Sequence, residues 1–89
     1  MEFRKSSVFD KSFGKRILGH ASLEKKFKER ASLFLLDRTN PVLKDHKLSG
    51  KKEGLRAFSI TGDIRIIYTR VTENLALFLD IGSHNQVYK

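Results

Sequence analysis

Three apolar runs separated by two very short turns constrain this chain more than any other feature. Leu55–Thr61, Ile64–Val71 and Leu75–Ile81 are linked by Thr61-Gly62-Asp63 and Thr72-Glu73-Asn74. Links this short join antiparallel neighbours, so the second half predicts a β-meander. Alternation then assigns faces. Phe58 and Ile60 oppose Ala57, Ser59 and Thr61, while Ile64, Ile66 and Tyr68 oppose Asp63, Arg65, Ile67 and Thr69. The third run is apolar on both sides apart from Asp80, as in a central strand. One face is therefore greasy, and the other is mixed and free for chemistry.

A greasy sheet face needs a cover, which falls to the first half. Residues 2–9 (EFRKSSVF) are a weak strand candidate, strongest at Val8-Phe9. Asp10 or Ser12 then offers an N-cap, and Phe13 and Ile17, four apart, predict a short helix ending near Gly19. Ser22 is a second cap candidate, with Glu24 facing the positive end of the next helix. Leu23, Phe27, Ala31, Phe34 and Leu35 fall at helical spacing, and Asn40-Pro41 closes that segment. The predicted fold is α+β, one domain over residues 1–89 in the order β-α-α-β-β-β, with a helical hairpin packed on a twisted antiparallel sheet. Phe27, Ala31, Phe34 and Leu35 are predicted to bury against Phe58, Ile60, Ile66 and Tyr68.

Charge narrows the partners. Eighteen Lys+Arg against ten Asp+Glu give a net charge of +8, and such a surface attracts polyanions or an acidic protein. No run approaches the roughly 20 apolar residues that span a bilayer, and the N-terminus lacks a signal-peptide core. The expectation is a cytoplasmic protein without a membrane partner. The absence of cysteine removes disulfides and thiolate zinc sites. Three scattered histidines without HxxxH spacing predict no metal site, and no P-loop, GxSxG or dinucleotide fingerprint predicts a cofactor.

The candidate site lies on the ends that the meander brings together. His84 lies just past the third run, and histidine is the side chain type best suited to give or take a proton at neutral pH. Its bland alternative is an ordinary polar tail residue. His46 sits among Lys44, Lys47, Lys51 and Lys52, a loop that reads either as a phosphate grip holding an imidazole or as a solvated basic surface. Arg65 suits bidentate phosphate binding, with a cross-strand ion pair to Asp63 as the alternative. Asp63 by itself is a turn residue. Arg56 is a second phosphate ligand, although its parity puts it on the side of Phe58, emerging at the sheet edge. Tyr88 either stacks on a base or folds back to close the core. His20, after Gly19 at a helix end, reads as structural.

The run HKLSGKKEGLRAFSI…DIRIIY…LALFLDIGSHNQVY resembles the RelE/YoeB/YafQ superfamily of type II toxin–antitoxin toxins, and its YafQ-like branch most of all. The likeness covers essentially the whole chain. It rests on the HxLSG loop, the D-x-R-x-x-Y strand and the terminal I-G-[ST]-H…[YF], taken in that order and spacing. It implies a small cytoplasmic endoribonuclease that enters the ribosomal A site and cuts mRNA without metal. In that chemistry the ribose 2′-hydroxyl attacks the adjacent phosphate, and a cognate antitoxin silences the enzyme. By position, His84 matches the family's proton donor, His46 the loop base, Asp63 the turn aspartate, Arg65 the arginine on the scissile phosphate and Tyr88 the terminal aromatic on the substrate base. Ala57 and Ser59 depart from the pattern, since well-studied branches hold acid, histidine or arginine there. A ParE-like toxin directed at DNA gyrase and a plain basic RNA-binding module are the rival readings.

Overall fold

The computed structural model describes residues 1–88. Strand β1 spans Glu2–Lys5, followed by helices α1 (Ser7–Arg16) and α2 (Ala21–Leu36). A two-residue strand β2 (His46–Lys47) precedes the meander of β3 (Arg56–Ser59), β4 (Ile64–Thr72) and β5 (Leu75–Ser83). A one-turn helix α3 (His84–Val87) ends the described chain. The five strands make one sheet in the order β1-β5-β4-β3-β2. The α+β architecture stands, with two additions. The sheet is mostly rather than wholly antiparallel, because β1 runs parallel to β5, Phe3 opposite Ala76. The short β2 also extends its far edge, with His46 opposite Ala57.

The N-terminal boundaries differ from expectation. Val8 and Phe9 belong to α1, not to a strand, and the cap is Ser6 rather than Asp10 or Ser12. The Ser6 hydroxyl accepts from the Phe9 amide at 3.0 Å and donates to the Leu79 carbonyl at 3.1 Å. Leu79 is the extra residue at a bulge, where the register jumps from Ile67 opposite Asp80 to Tyr68 opposite Phe78. One hydroxyl thus starts the helix and satisfies a bulge carbonyl, a long-range term invisible to local pattern. Helix α2 begins after His20, without a side-chain cap from Ser22; the Glu24 carboxylate instead accepts from the Gly19 amide at 3.0 Å. It stops at Leu36, before Asn40-Pro41, and Asn40 caps a separate 3₁₀ turn at Pro41–Leu43.

The faces follow the alternation. Phe9, Ile17, Phe34, Phe58, Ile60, Ile66, Tyr68, Phe78 and Ile81 share one core under the helices, with Phe27 and Leu35 partly buried against it. Phe34 stacks on Phe58 at 4.4 Å between centroids and presents an edge to Tyr68 at 4.9 Å, separations at which aromatic pairs attract. The opposite face has a small cluster of Ala57, Ile67 and Val87, edged by Leu48, Leu55 and Tyr88. No described helix is long and apolar enough to cross a membrane.

Candidate functional site

The open face carries the cleft that unites half of the candidates. Strand β5 runs two residues beyond the apolar stretch, and Ser83 caps α3 through a reciprocal box with Gln86. That box satisfies two amides that a one-turn helix would otherwise leave bare, and so holds His84 at the first helical position. His84 is exposed, and its ring meets the edge of Tyr88, four residues on, at 4.5 Å and 67°. His46 arrives from the opposite edge of the sheet on β2. Its Nδ1 lies 2.8 Å from the Lys44 carbonyl. A carbonyl only accepts, so Nδ1 carries the proton and the neutral ring presents a bare Nε2. His46, Lys51, Lys52, His84 and Tyr88, with Leu48 and Ser49, line one open cleft of about 410 Å³.

Arg65 lies beside this cleft on β4, between Ser59 and Gly82. Its guanidinium donates to the backbone carbonyl of Asp63 at 3.1 Å. Among the described residues Arg65 and Asp63 make no ion pair, and Asp63 stands exposed in its turn. Tyr88 folds back onto the small Ala57–Ile67–Val87 cluster and also walls the cleft. Its hydroxyl is buried without a hydrogen-bond partner among the described residues. Burial pushes the phenol pKa up, and the positive charge of Arg65 opposes that shift. Gly82 matters through close approach: an added Cβ would lie 2.6 Å from the Arg16 guanidinium and 2.7 Å from Gln86 Oε1. Arg16 there donates to the Ile81 carbonyl at 2.8 Å and pairs with Asp80 at 3.3 Å, tying α1 to the strand that ends in His84.

The structure does not bring every candidate together. Lys47 and Arg56 line a larger cleft of about 710 Å³ on the other side of the 48–55 loop, and no histidine borders it. The smaller cleft is the one that both His46 and His84 border. Lys44 borders neither of these two clefts and takes the left-handed conformation, φ 51°. Arg56 is not a free edge cation. Its Nη2 sits 2.6 Å from a carboxylate oxygen of Asp45, whose side chain is 4% exposed. Asp45 was overlooked in the sequence, where it reads as one acid in a lysine run. Its signal was the pair Arg56 and Tyr68, directly opposite on neighbouring strands and pointing to the helix side. Among the described residues no group of three His, Cys, Asp or Glu stands close enough to hold a metal ion.

The comparisons agree with this architecture. Residues 1–89 match the family described as the bacterial toxin of type II toxin–antitoxin systems, YafQ. YafQ from Escherichia coli strain BL21(DE3) superposes with TM-score 0.77 at 23% identity, over 98% of this chain and 97% of that one. The Escherichia coli DinJ–YafQ complex gives 0.72 at 25% identity over 98% and 97%. A YoeB/ParE toxin from Agrobacterium tumefaciens gives 0.77 at 14% identity over 94% and 99%, a likeness of fold alone. No curated protein sequence matches the chain.

Proposed function

Because the chain belongs to the YafQ family of type II toxin–antitoxin toxins, we propose that it is an endoribonuclease that cleaves mRNA in the ribosomal A site. The observation that carries this reading is the convergence of His46 and His84, from opposite ends of the meander, on one lysine-walled cleft. In the proposed reaction His46 Nε2 takes the proton of a ribose 2′-hydroxyl. The freed oxygen attacks the adjacent phosphorus, and the bond from phosphorus to the 5′-oxygen breaks. Protonated His84 delivers its proton to that leaving oxygen, giving a 2′,3′-cyclic phosphate and a 5′-hydroxyl. Arg65, with Lys51 and Lys52, offsets the charge that builds on the phosphorane. Tyr88 supports the flanking base, and Asp63 keeps the β3–β4 turn beside Arg65. The nucleophile comes from the RNA and the protons move through two imidazoles, so no step is assigned to a metal or cofactor.

The whole chain acts in this reading as one toxin domain in the cytoplasm, where its ribosomal target is. A cognate antitoxin is the proposed silencing partner, supported by the DinJ–YafQ complex among the structural relatives. The test is primer extension on mRNA translated by purified ribosomes with and without the protein. New 5′ ends that require the ribosome, with cyclic phosphate on the upstream fragment, are the expected result. Intact mRNA together with inhibited gyrase supercoiling would overturn it in favour of a ParE-like toxin.

A further inference from the structure

Asp45 stands immediately before His46, yet the two side chains live in opposite environments. The Asp45 carboxylate is buried and receives donors from three separate elements. Arg56 of β3 reaches it through Nη2 at 2.6 Å and Nε at 2.8 Å. Arg38, just past α2, reaches it at 3.3 Å, and the Tyr68 hydroxyl of β4 donates to its other oxygen. Burial and the bond to Asp45 push the Tyr68 phenol up to about 12, so that hydroxyl keeps its proton for the bond. His46, one residue on, is exposed and faces the cleft.

We propose that Asp45 is the positioning residue of the site: its clamp to Arg38, Arg56 and Tyr68 fixes the backbone that aims His46 and sets its tautomer. The proposal rests on the reading of His46 as the base. Three observations support it. Strand β2 has only two residues, so its ladder alone holds the loop weakly. Lys44 is the one described non-glycine residue with positive φ, a conformation that persists only where neighbours enforce it. The same left-handed turn accompanies the Lys44 carbonyl bond to His46 Nδ1. Release of Asp45 would let Lys44 relax toward ordinary backbone angles and take that carbonyl away from the ring. Nδ1 would then lose its reason to hold the proton, and Nε2 its availability.

The experiment compares Asp45→Asn, Tyr68→Phe and wild type as full-length ¹⁵N-labelled proteins. Two-bond proton–nitrogen spectra report the His46 tautomer without any substrate, and cleavage of ribosome-bound mRNA reports kcat and KM. Asp45→Asn is expected to mix the two His46 tautomers and to lower kcat about tenfold, with KM little changed. Tyr68→Phe, which leaves the arginine pairs in place, is expected to fall between. Adding Asp45→Asn to His46→Ala should cost nothing further, because the residue it positions is gone. If Asp45→Asn lowers only the melting temperature, leaving tautomer and kcat of the folded fraction at wild type, Asp45 is a fold brace and the proposal fails. If Asp45→Asn does not fold, Tyr68→Phe with an unaltered tautomer overturns it equally. A mixed tautomer in Asp45→Asn combined with full activity in His46→Ala would uphold the positioning and sink the base assignment instead.

Discussion

On the helix-covered face of the sheet, Phe9, Phe34, Phe58, Tyr68 and Phe78 have essentially no exposed surface and touch one another ring to ring. On the other face, the buried apolar side chains among the described residues are Ala57, Ile67 and Val87, beside the small Ser59, and the buried Tyr88 hydroxyl has no partner among the described residues. The same strands supply both faces by alternation, shifted once on β5 at the Leu79 bulge, so the contrast comes from side chains and not from topology. Large apolar burial concentrates folding free energy beneath the helices, while the open face keeps polar groups loosely packed and reachable. In the proposed function stability and chemistry are thus separable, and substitutions on the two faces should fail in different assays.

The largest effect expected is on chemistry with the fold intact. His84 is exposed and contributes little packing, so His84→Ala should leave the melting temperature nearly unchanged. Cleavage should fall about 10²–10⁴-fold, the usual worth of a positioned proton donor. His84→Gln, unable to protonate, should do no better. A large drop in thermal stability in either variant would break the separation of faces.

The reverse case is Phe34→Ala. It removes a fully buried ring between Phe58, Tyr68 and Phe78 and should cost about 3–5 kcal/mol, a large share of a small domain's stability. Urea unfolding measures it. Cleavage per folded molecule should stay close to wild type, and a selective loss of activity would show that the two faces are coupled.

How far sequence reached differs between the faces for a physical reason. Period-two alternation in Phe58–Ile60 and Ile64–Tyr68 and the stripe Phe27–Phe34 are repeated signals, and burial obeyed them. The Ser6 cap was missed because its hydroxyl is shared with Leu79, 73 residues away. The one-turn α3 was missed because a four-residue helix has no periodicity to read; its Ser83–Gln86 box was the available clue. On the open face, residue types nominated His46, His84 and Tyr88, and the meander brought them to one cleft. Lys47 looked equivalent to Lys51 and Lys52 along the chain, but it lines another cleft together with Arg56, which parity had already set apart. Asp45 was missed because its meaning lies in three donors, 7, 11 and 23 residues away, that only the fold brings onto one carboxylate.

That division of lysines gives a smaller, graded prediction. Neutralising Lys51 and Lys52 removes two cations from the histidine cleft. Each phosphate contact with single-stranded RNA contributes about 0.7 to the slope of log affinity against log salt. The double variant should therefore flatten the slope for the ribosome–mRNA complex by roughly 1.4 if both contact phosphate. Neutralising Lys44 and Lys47, which lie outside that cleft, should change it less. Equal effects from the two pairs would mean that RNA follows the loop as a whole rather than the cleft.

The smallest effect tests the boundary between packing and the cleft within the open face. Tyr88 stands on that boundary, because its ring closes the Ala57–Ile67–Val87 cluster while also walling the cleft. Its buried hydroxyl finds no hydrogen-bond partner among the described residues, so Tyr88→Phe should be neutral or stabilising by up to about 1 kcal/mol. If the ring serves only by packing and by supporting a base, cleavage should persist in Tyr88→Phe and fall in Tyr88→Ala. Alkaline unfolding gives an independent check on the sign. The folded phenol pKa is raised by burial, so the folded chain keeps its proton at a pH where the unfolded chain has lost it. That contribution is complete below about pH 10, the unfolded value, and is lost as pH rises through the folded one. Stability should therefore decline less steeply above pH 10 in Tyr88→Phe than in wild type. A destabilised Tyr88→Phe would mean that the hydroxyl has a partner after all, and a Tyr88→Phe that is stable but inactive would move the hydroxyl itself into the chemistry.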